Sequence, residues 1–460
     1  DLVFGRARAT LPDPPLPHGA LPIPVEPHAR TMNALLAALV CVAASAFGPS
    51  SKRLPSAPVR AAAYGSPEMK VVNVGVIGAG RIGLVHLEAI AQCQDAKCLI
   101  ISNPTVSKAE AAAKQYYVPE FSADADDVIN HPDVDAVWIC SPSSFHADQI
   151  MKAAAAGKSI FCEKPIATDL PETIVAINKC EEAGVKLMTA LQRRFDPNFA
   201  RVKEAITKGE VGEPIVVKLC SRDPSPPPFE YVKGGGGIFK DMAVHDLDMS
   251  RHLMGSEPIE ILASGSCHID KQITELEGAE AYDTANIIVR YANGKEAIID
   301  VCRQAPYGYD QRAEVLGTKA MMQTDNMYPN TARLYAADFT GNADLPYDFF
   351  MSRYKEAYKQ ETLAFIDALV NDKPSPCSGE DGLIALIMSI AAGISAEEQR
   401  WVKFSEVAAS VKCDEDGCMI VDLDEDALKE AQQKDEFVDK VKEVLPNKEE
   451  KSGWKKVFSR

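Results

Sequence analysis

The stretch "VVNVGVIGAGRIGLVHLEAIAQC", Val71–Cys93, decides the fold. Its first seven residues form a nearly unbroken apolar run, which predicts a strand buried on both faces. A glycine turn follows, and then "RIGLVHLEAIAQC" carries apolar residues at helical spacing. Gly78, Gly80 and Gly83 stand in G-x-G-x-x-G register, directly after the strand and opening the helix. The three glycines permit, in turn, a tight bend, close approach of backbone to a pyrophosphate, and tight helix–strand packing. The helix N-terminus, with Arg81 and Ile82 in its first turn, then faces the phosphates. The strand–glycine–helix context predicts dinucleotide binding. The second strand would ordinarily end in an acid that accepts from the adenosine ribose hydroxyls. "LIISNP" supplies Asn103 there, which hydrogen-bonds a ribose without repelling a 2′-phosphate. No arginine follows to bind such a phosphate, so the reading is NAD, with NADP left open.

Outward from this unit the pattern repeats. "AKCLIIS", "DAVWICSP", "KSIFCEKP" and "VKLMTAL" read as strands, separated by helix-like segments such as "SSFHADQIMKAAAAG" and "DLPETIVAINKCEEAG". Apolar strands alternating with helices predict a parallel, doubly wound sheet over residues 70–191. From residue 192 to 410 the texture is β-rich. "EPIVVKLCSRD", "EILASGSCHI", "TANIIVRYANGKEAIIDVCRQ", "DQRAEVLGTKAMMQTD" and "TARLYAAD" predict a largely antiparallel sheet. The Asn-Gly in "ANGK" is the strongest hairpin signal. The helix around Asp241 and the later "RYKEAYKQETLAFIDALVND" are expected to pack on one side of that sheet. Residues 411–460 read as an acidic tail with one amphipathic helix. Its "DEDG" lacks the further ligands of a calcium loop.

A formal net charge of −17 over 460 residues argues against nucleic acid or an anionic membrane as partner. The twelve cysteines include no CxxC pair and fall partly in strand-like runs, as reduced structural thiols do. Residues 1–69 read as an upstream and targeting segment outside the fold. An apolar run, Ala34 to Ala44, has the length of a signal-peptide core, although the basic residues expected ahead of it are missing. Ser, Pro, Ala and the cations Lys52, Arg53 and Arg60 follow, with no acid until Glu68, which is transit-peptide composition. "ASAF", Ala44–Phe47, resembles the junction that marks two-step import into the complex plastids of algae. Secretion, or a cytoplasmic protein with a misassigned start, is the alternative.

Three places carry chemistry. "FCEKPIAT" sets Glu163, Lys164 and Pro165 at the carboxyl end of a strand, the edge where open α/β sheets bind ligands; a surface lysine in a loop is the plain alternative. "CSPSSFH" ends another strand with Ser141 and Pro142, and places His146 in the first turn of a helix. There a neutral imidazole beside the cofactor competes with a surface histidine. In "GGGGIFKDMAVHDLDMSRHLMG", Gly234–Gly255, an α-helix would bring Asp241, His245, Asp248 and His252 within about 60° of one another. That stripe reads as a metal site, a set of acids and bases, or a polar seam in a core.

GAGRIG, CSPSSFH, CEKP and the Asp241–His245 segment, in this order, resemble the glucose–fructose oxidoreductase and inositol dehydrogenase family, and within it the myo-inositol 2-dehydrogenases. "LQRRFDPNF", "YGYDQRAEVLG", "FFMSRYKEAYKQE" and "SGEDGLIAL" extend the likeness over roughly residues 70–410. The resemblance implies a Rossmann domain followed by an α/β domain whose open sheet forms homo-oligomers, often tetramers. It implies NAD, no metal, a small polyol substrate and oxidation of myo-inositol to 2-keto-myo-inositol (scyllo-inosose). Another cyclitol, a pyranose sugar, or a catalytically silent NAD(P)-binding sensor are the alternatives. Oxidising a ring hydroxyl requires a base, and His245 suits that role near neutral pH. Asp241 orients it or binds a neighbouring hydroxyl, and Lys164 stabilises developing alkoxide charge. By resemblance alone, Arg193, Arg222, Asp248 and Tyr309 bind other hydroxyls. Gly78, Gly80, Arg81, Ile82, Gly83, Asn103, Ser141, Pro142, His146 and Glu163 form the expected cofactor contacts, and His252 reads as structural.

Overall fold

The computed structural model describes residues 71–409, 411–413 and 419–421. The segment read as a targeting sequence and nearly all of the acidic tail, with the readings placed on them, lie outside the described residues. Val72–Ile77 (β1) is buried along almost its whole length, as an apolar run in a parallel sheet must be. It pairs in parallel with Ala96–Ser102 (β2) and Ala136–Ile139 (β4). With Glu120–Ser122 (β3), Ser159–Glu163 (β5) and Leu187–Ala190 (β6) the order is β3-β2-β1-β4-β5-β6. β3 has no counterpart among the expected strands, because three half-exposed residues are too few to show a period. Between the strands run the helices Arg81–Ala91 (α1), Val106–Tyr116 (α2), Ala125–Ile129 (α3), His146–Ala155 (α4) and Leu170–Ala183 (α5). The last is capped by Asp169, whose side chain accepts from the Glu172 N–H.

The second sheet is mixed, not purely antiparallel. It contains Pro214–Arg222 (β7), Pro258–Ser266 (β8), Thr284–Tyr291 (β9), Glu296–Cys302 (β10), Asp310–Gly317 (β11) and Met321–Gln323 (β12). Val402–Lys403 closes the order β12-β11-β7-β10-β9-β8-Val402–Lys403, in which β10 and β7 run parallel and every other pair is antiparallel. Asn293-Gly294 makes the β9–β10 turn, with Gly294 at φ 76°. Alternation gives the sheet two characters: Val217, Leu219, Ile287, Val289, Ile299 and Val315 are buried on one face, while Lys218, Ile298 and Leu316 are exposed on the other.

"TARLYAAD" is a correction: it contributes only Arg333–Leu334, paired with Asn342–Ala343 in a separate hairpin. A second correction concerns the helices. Pro197–Thr207 (α6), Phe229–Gly235 (α7) and Val244–Met254 (α8) precede Lys355–Val370 (α9) and Gly379–Glu398 (α10). α8 does pack on β7, but α9 turns back onto α1, where Phe365 and Ile366 join Trp138 and Phe161 in the core of the first sheet. The helix that covers the second sheet beside α8 is α10. It is long and apolar enough to cross a membrane, yet most of it is buried inside the protein. Cys93, Cys98, Cys140, Cys162, Cys180, Cys220, Cys267, Cys302 and Cys377 are unpaired, six of them buried.

The glycine motif is held by sterics. Gly78 adopts φ +106°, and a Cβ on Gly83 would stand 1.9 Å from the Gly78 carbonyl oxygen. Gly83→Ala is expected to cost about 1–3 kcal/mol through overpacking, read as a lowered denaturant midpoint with unchanged slope.

Candidate active site

The first half of the site is the uncapped start of α1. Gly80 is its N-cap, no side chain caps it, and a Cβ there would meet nothing within 4 Å. Free N–H groups at a helix N-terminus with open space before them suit an anion. The Gly78 N–H is tied to Ser102 O at 2.8 Å, so β1 and β2 fix the turn. Asn103 follows β2: its Oδ1 accepts the Ala79 N–H at 3.1 Å and its Nδ2 donates to Thr105 O at 3.2 Å. The asparagine thus steadies the glycine turn where an acid would otherwise reach for the ribose. Arg81 is exposed beside it, while Ile82 is half-buried. Ser141 donates to Gln149 Oε1 at 2.6 Å, and Pro142 follows it at the mouth of the turn after β4. These residues fit a dinucleotide.

Two expected cofactor contacts face inward instead. His146 is buried, with Nδ1 2.7 Å from Pro165 O and Nε2 2.8 Å from Ser141 O. Both ring nitrogens are engaged by backbone, so the imidazole is a strut between the turns after β4 and β5. Glu163 has Oε1 2.7 Å from His86 Nε2, and its Oε2 accepts the Lys164 N–H at 3.3 Å. That carboxylate is occupied by the interior and by the lysine's own backbone.

The second half is the glycine-led segment. It is not one α-helix: Ile238–Ala243 is a π-helical turn, and α8 begins only at Val244. A π turn holds more residues than an α turn, so the 100° reckoning fails across Asp241–His245, and such turns recur at functional sites. Gly236 and Gly237 enter it at φ 77° and 73°. A Cβ on Gly237 would come within 2.8 Å of Glu280 Cα.

Asp241 is the hub. Lys164 Nζ donates to its carbonyl oxygen at 2.9 Å and to Oδ1 at 3.2 Å. Tyr231 of α7 donates to Oδ1 at 3.0 Å, and Arg303 Nη2 to Oδ2 at 2.9 Å. Burial alone would raise the Asp241 carboxyl, but Lys164 and Arg303 outweigh it and hold it down at about 2. His245 is driven the other way: burial, then Lys164 and Arg193, push its imidazole well below the usual range. Its Nδ1 is buried and has no hydrogen-bond partner among the described residues. The set is a neutral imidazole beside an ammonium that a carboxylate steers.

The residues assigned to substrate separate. Arg193 is buried, donating to Ser221 Oγ and to Asp246 Oδ1 at 2.7 Å each. Asp248 is buried and held by Arg194 through both oxygens, at 2.9 and 2.5 Å. Both are corrections: these charges are consumed by internal pairs. Arg222 is another, because strand alternation puts it on the opposite face of β7 from Ser221. There it pairs with Asp300 and donates to Tyr307 at 3.1 Å. Tyr307 lines a cavity of about 450 Å³ that shares no residue with the Lys164 group. Tyr309 is buried, edge-on to Tyr354 with ring centroids 6.1 Å apart. His252 is half-buried beside Arg194 and Lys203, and its carbonyl accepts from Lys203, so it is structural. Arg303 and Tyr231 are absent from the sequence reading. No period marks either, and the only available signals are a cation just past a strand end and an aromatic just before the glycines.

Residues 72–191 match the oxidoreductase family with an NAD-binding Rossmann fold, and residues 199–323 match the GFO/IDH/MocA C-terminal domain. The chain is 42% identical over 334 residues to an inositol 2-dehydrogenase of Rhizobium meliloti, covering 73% of this chain and 99% of that one. It is 40% identical over 337 residues to a myo-inositol 2-dehydrogenase of Thermotoga maritima, with the same two coverages. The crystal structure of a scyllo-inositol dehydrogenase from Lactobacillus casei with bound NAD(H) and scyllo-inositol superimposes with a TM-score of 0.67. It is 28% identical, covering 73% of this chain and all of that one.

Arg303 also donates to Asp223 at 3.1 Å, so Arg303→Met strips a cation from two carboxylates that are only 13% and 17% exposed. A loss of about 3–5 kcal/mol is expected in chemical denaturation. Because the Asp241 carboxyl is depressed, its stabilisation is present above its unfolded value and is lost as pH falls through about 2. The variant lacks the part of that depression that Arg303 supplies, so on acidification from about pH 5 to about pH 2 it is expected to lose less stability than the parent.

Proposed function

We propose that this chain, which belongs to the GFO/IDH/MocA oxidoreductase family, oxidises one ring hydroxyl of myo-inositol to the ketone, 2-keto-myo-inositol. NAD held at the glycine turn of Gly78, Gly80 and Gly83 would supply the hydride acceptor for this oxidation. The observation that carries the reading is the meeting of Lys164, from the end of β5, with Asp241 one turn before His245. His245, kept neutral by its surroundings, takes the hydroxyl proton. Lys164 is steered by Asp241 and turns its ammonium to the same oxygen, stabilising negative charge as the hydride leaves. Tyr231 and Arg303 hold Asp241 ionised, so the lysine keeps a fixed counter-charge. With Arg193, Arg222 and Asp248 committed elsewhere, few side chains discriminate the rest of the ring. Another cyclitol is therefore the second reading, and the relative named for scyllo-inositol supports keeping it.

The exposed outer face of the second sheet, with Ile298 and Leu316, supports a homo-oligomer. The composition of residues 34–60 and the "ASAF" junction support import into a complex plastid.

The test is reduction of NAD and NADP, followed by absorbance, against a panel of cyclitols and sugars. Turnover with myo-inositol is expected, and cofactor binding without turnover of any member would establish the silent sensor instead. Lys164→Met is expected to lower kcat about 10²–10⁴-fold, with NAD affinity nearly unchanged by titration. Asn103→Asp is expected to raise KM for NADP at least about tenfold while sparing NAD, since a carboxylate there repels a 2′-phosphate.

A further inference from the structure

Beneath the turn that carries Lys164 lies a group the reaction does not use. His86 from α1, Glu163 from β5 and Glu361 from α9 bring their nitrogen and carboxylate oxygens within 4.8 Å of one another. His86 and Glu361 are fully buried. Neither oxygen of Glu361, nor Nδ1 of His86, has a hydrogen-bond partner among the described residues. The rings of Phe161 and Tyr358 stand edge-on to His86, with centroids at 4.9 and 5.6 Å.

Two carboxylates this close in an apolar surrounding do not both stay ionised; either a cation or a proton must join them. The geometry separates the two. A zinc ion bound at about 2.0–2.1 Å by nitrogen and oxygen would hold those atoms about 3.3 Å apart in a tetrahedron. The His86 Nε2–Glu163 Oε1 separation of 2.7 Å is instead a hydrogen-bond length. We propose that Glu361 is a neutral carboxylic acid in the resting protein and acts as a positioning residue, leaving Glu163 as the one negative charge under the Lys164 turn. Glu163 can then divide its oxygens between His86 and the Lys164 N–H without a second charge pushing it away. Glu361 faces Glu163, Cys140, Tyr358 and Cys377, and Glu163 also faces Cys162 and His86. No lysine or arginine is among them. Burial first, and Glu163 second, push the Glu361 carboxyl well above the usual carboxylate range.

A carboxyl raised on folding keeps its proton in the folded chain while the unfolded chain has released it. The folded-to-unfolded ratio therefore falls up to tenfold per pH unit above about 4.3, the ordinary glutamate value.

The test uses the full chain, its Glu361→Gln and Glu361→Ala variants, and three readouts. In infrared spectra of the parent at pH 7.5, a protonated-carboxyl band is expected that Glu361→Gln lacks. In denaturant unfolding between pH 5 and 8, Glu361→Gln is expected to lose the part of the parent's pH slope that Glu361 supplies. In turnover, Glu361→Ala is expected to lose at least about tenfold in kcat and Glu361→Gln to restore it to within about twofold. The proposal is overturned if the parent lacks the band, if Glu361→Gln keeps the parent's slope, or if Gln does not rescue Ala. A divalent metal at one per chain in the untreated parent, removed by chelator together with activity, also overturns it. The positioning role rests on Lys164 serving the proposed reaction. A parent without turnover would sink that reading alone, because the band and the slope are measured without substrate.

Discussion

The ammonium of Lys164 against Asp241 is the contact around which both sheets are arranged. One partner ends a strand of the parallel sheet, and the other sits in a π turn ahead of the helix that covers the mixed sheet. Bringing them together requires the two sheets to share a core. α10 provides it by bringing two glycines against the first half. A Cβ on Gly379 would press on Ile177 and Leu187, and one on Gly382 on Thr189. On the far side of the same helix Ser395 accepts the Ala263 N–H of β8 at 2.8 Å. Close packing leaves such a helix little freedom to shift, which keeps the lysine and the acid in register.

Around that contact the interior carries an unusual load of charge. Arg193–Asp246, Arg194–Asp248 and Arg353–Asp196 are buried pairs with closest contacts of 2.7, 2.5 and 2.6 Å. Such pairs add little net stability, because desolvation cancels most of the attraction, but breaking one leaves a stranded charge. They specify geometry. Arg193 also reaches the site as a field, since it is one of the two cations that keep His245 neutral. An arginine expected to touch substrate is thus paired inside the protein and acts on the base as a field.

Much of this is legible in the amino-acid order. A strand, three spaced glycines and a helix have few physical solutions, and the alternation that follows extends them into a doubly wound sheet. Lys164, Asp241 and His245 are legible because each sits next to a backbone landmark: a strand end, a glycine loop, a helix start. What escapes depends on tertiary geometry. The π turn cannot be seen in a count of residues, so a stripe of four residues reckoned on an α-helix does not survive folding. Arg222 is the last residue of β7 and Arg303 follows the last residue of its parallel neighbour β10, and only the pairing register shows which of them faces the acid. The apolar face of α9 does not say which core receives it, and the sequence points to the wrong sheet.

His146 has a consequence of its own. One imidazole ties the turn that borders the cofactor cleft to the turn that carries the lysine, through two backbone carbonyls and no other side chain. The loops after β4 and β5 therefore behave as one mechanical part. A sequence graft that replaced either loop with that of a relative would inherit or lose the other's conformation, so the smallest exchangeable unit here spans residues 141–165. For anyone recombining this fold to change its cofactor or its ring, that joint, more than the individual contacts, sets where the cuts can fall.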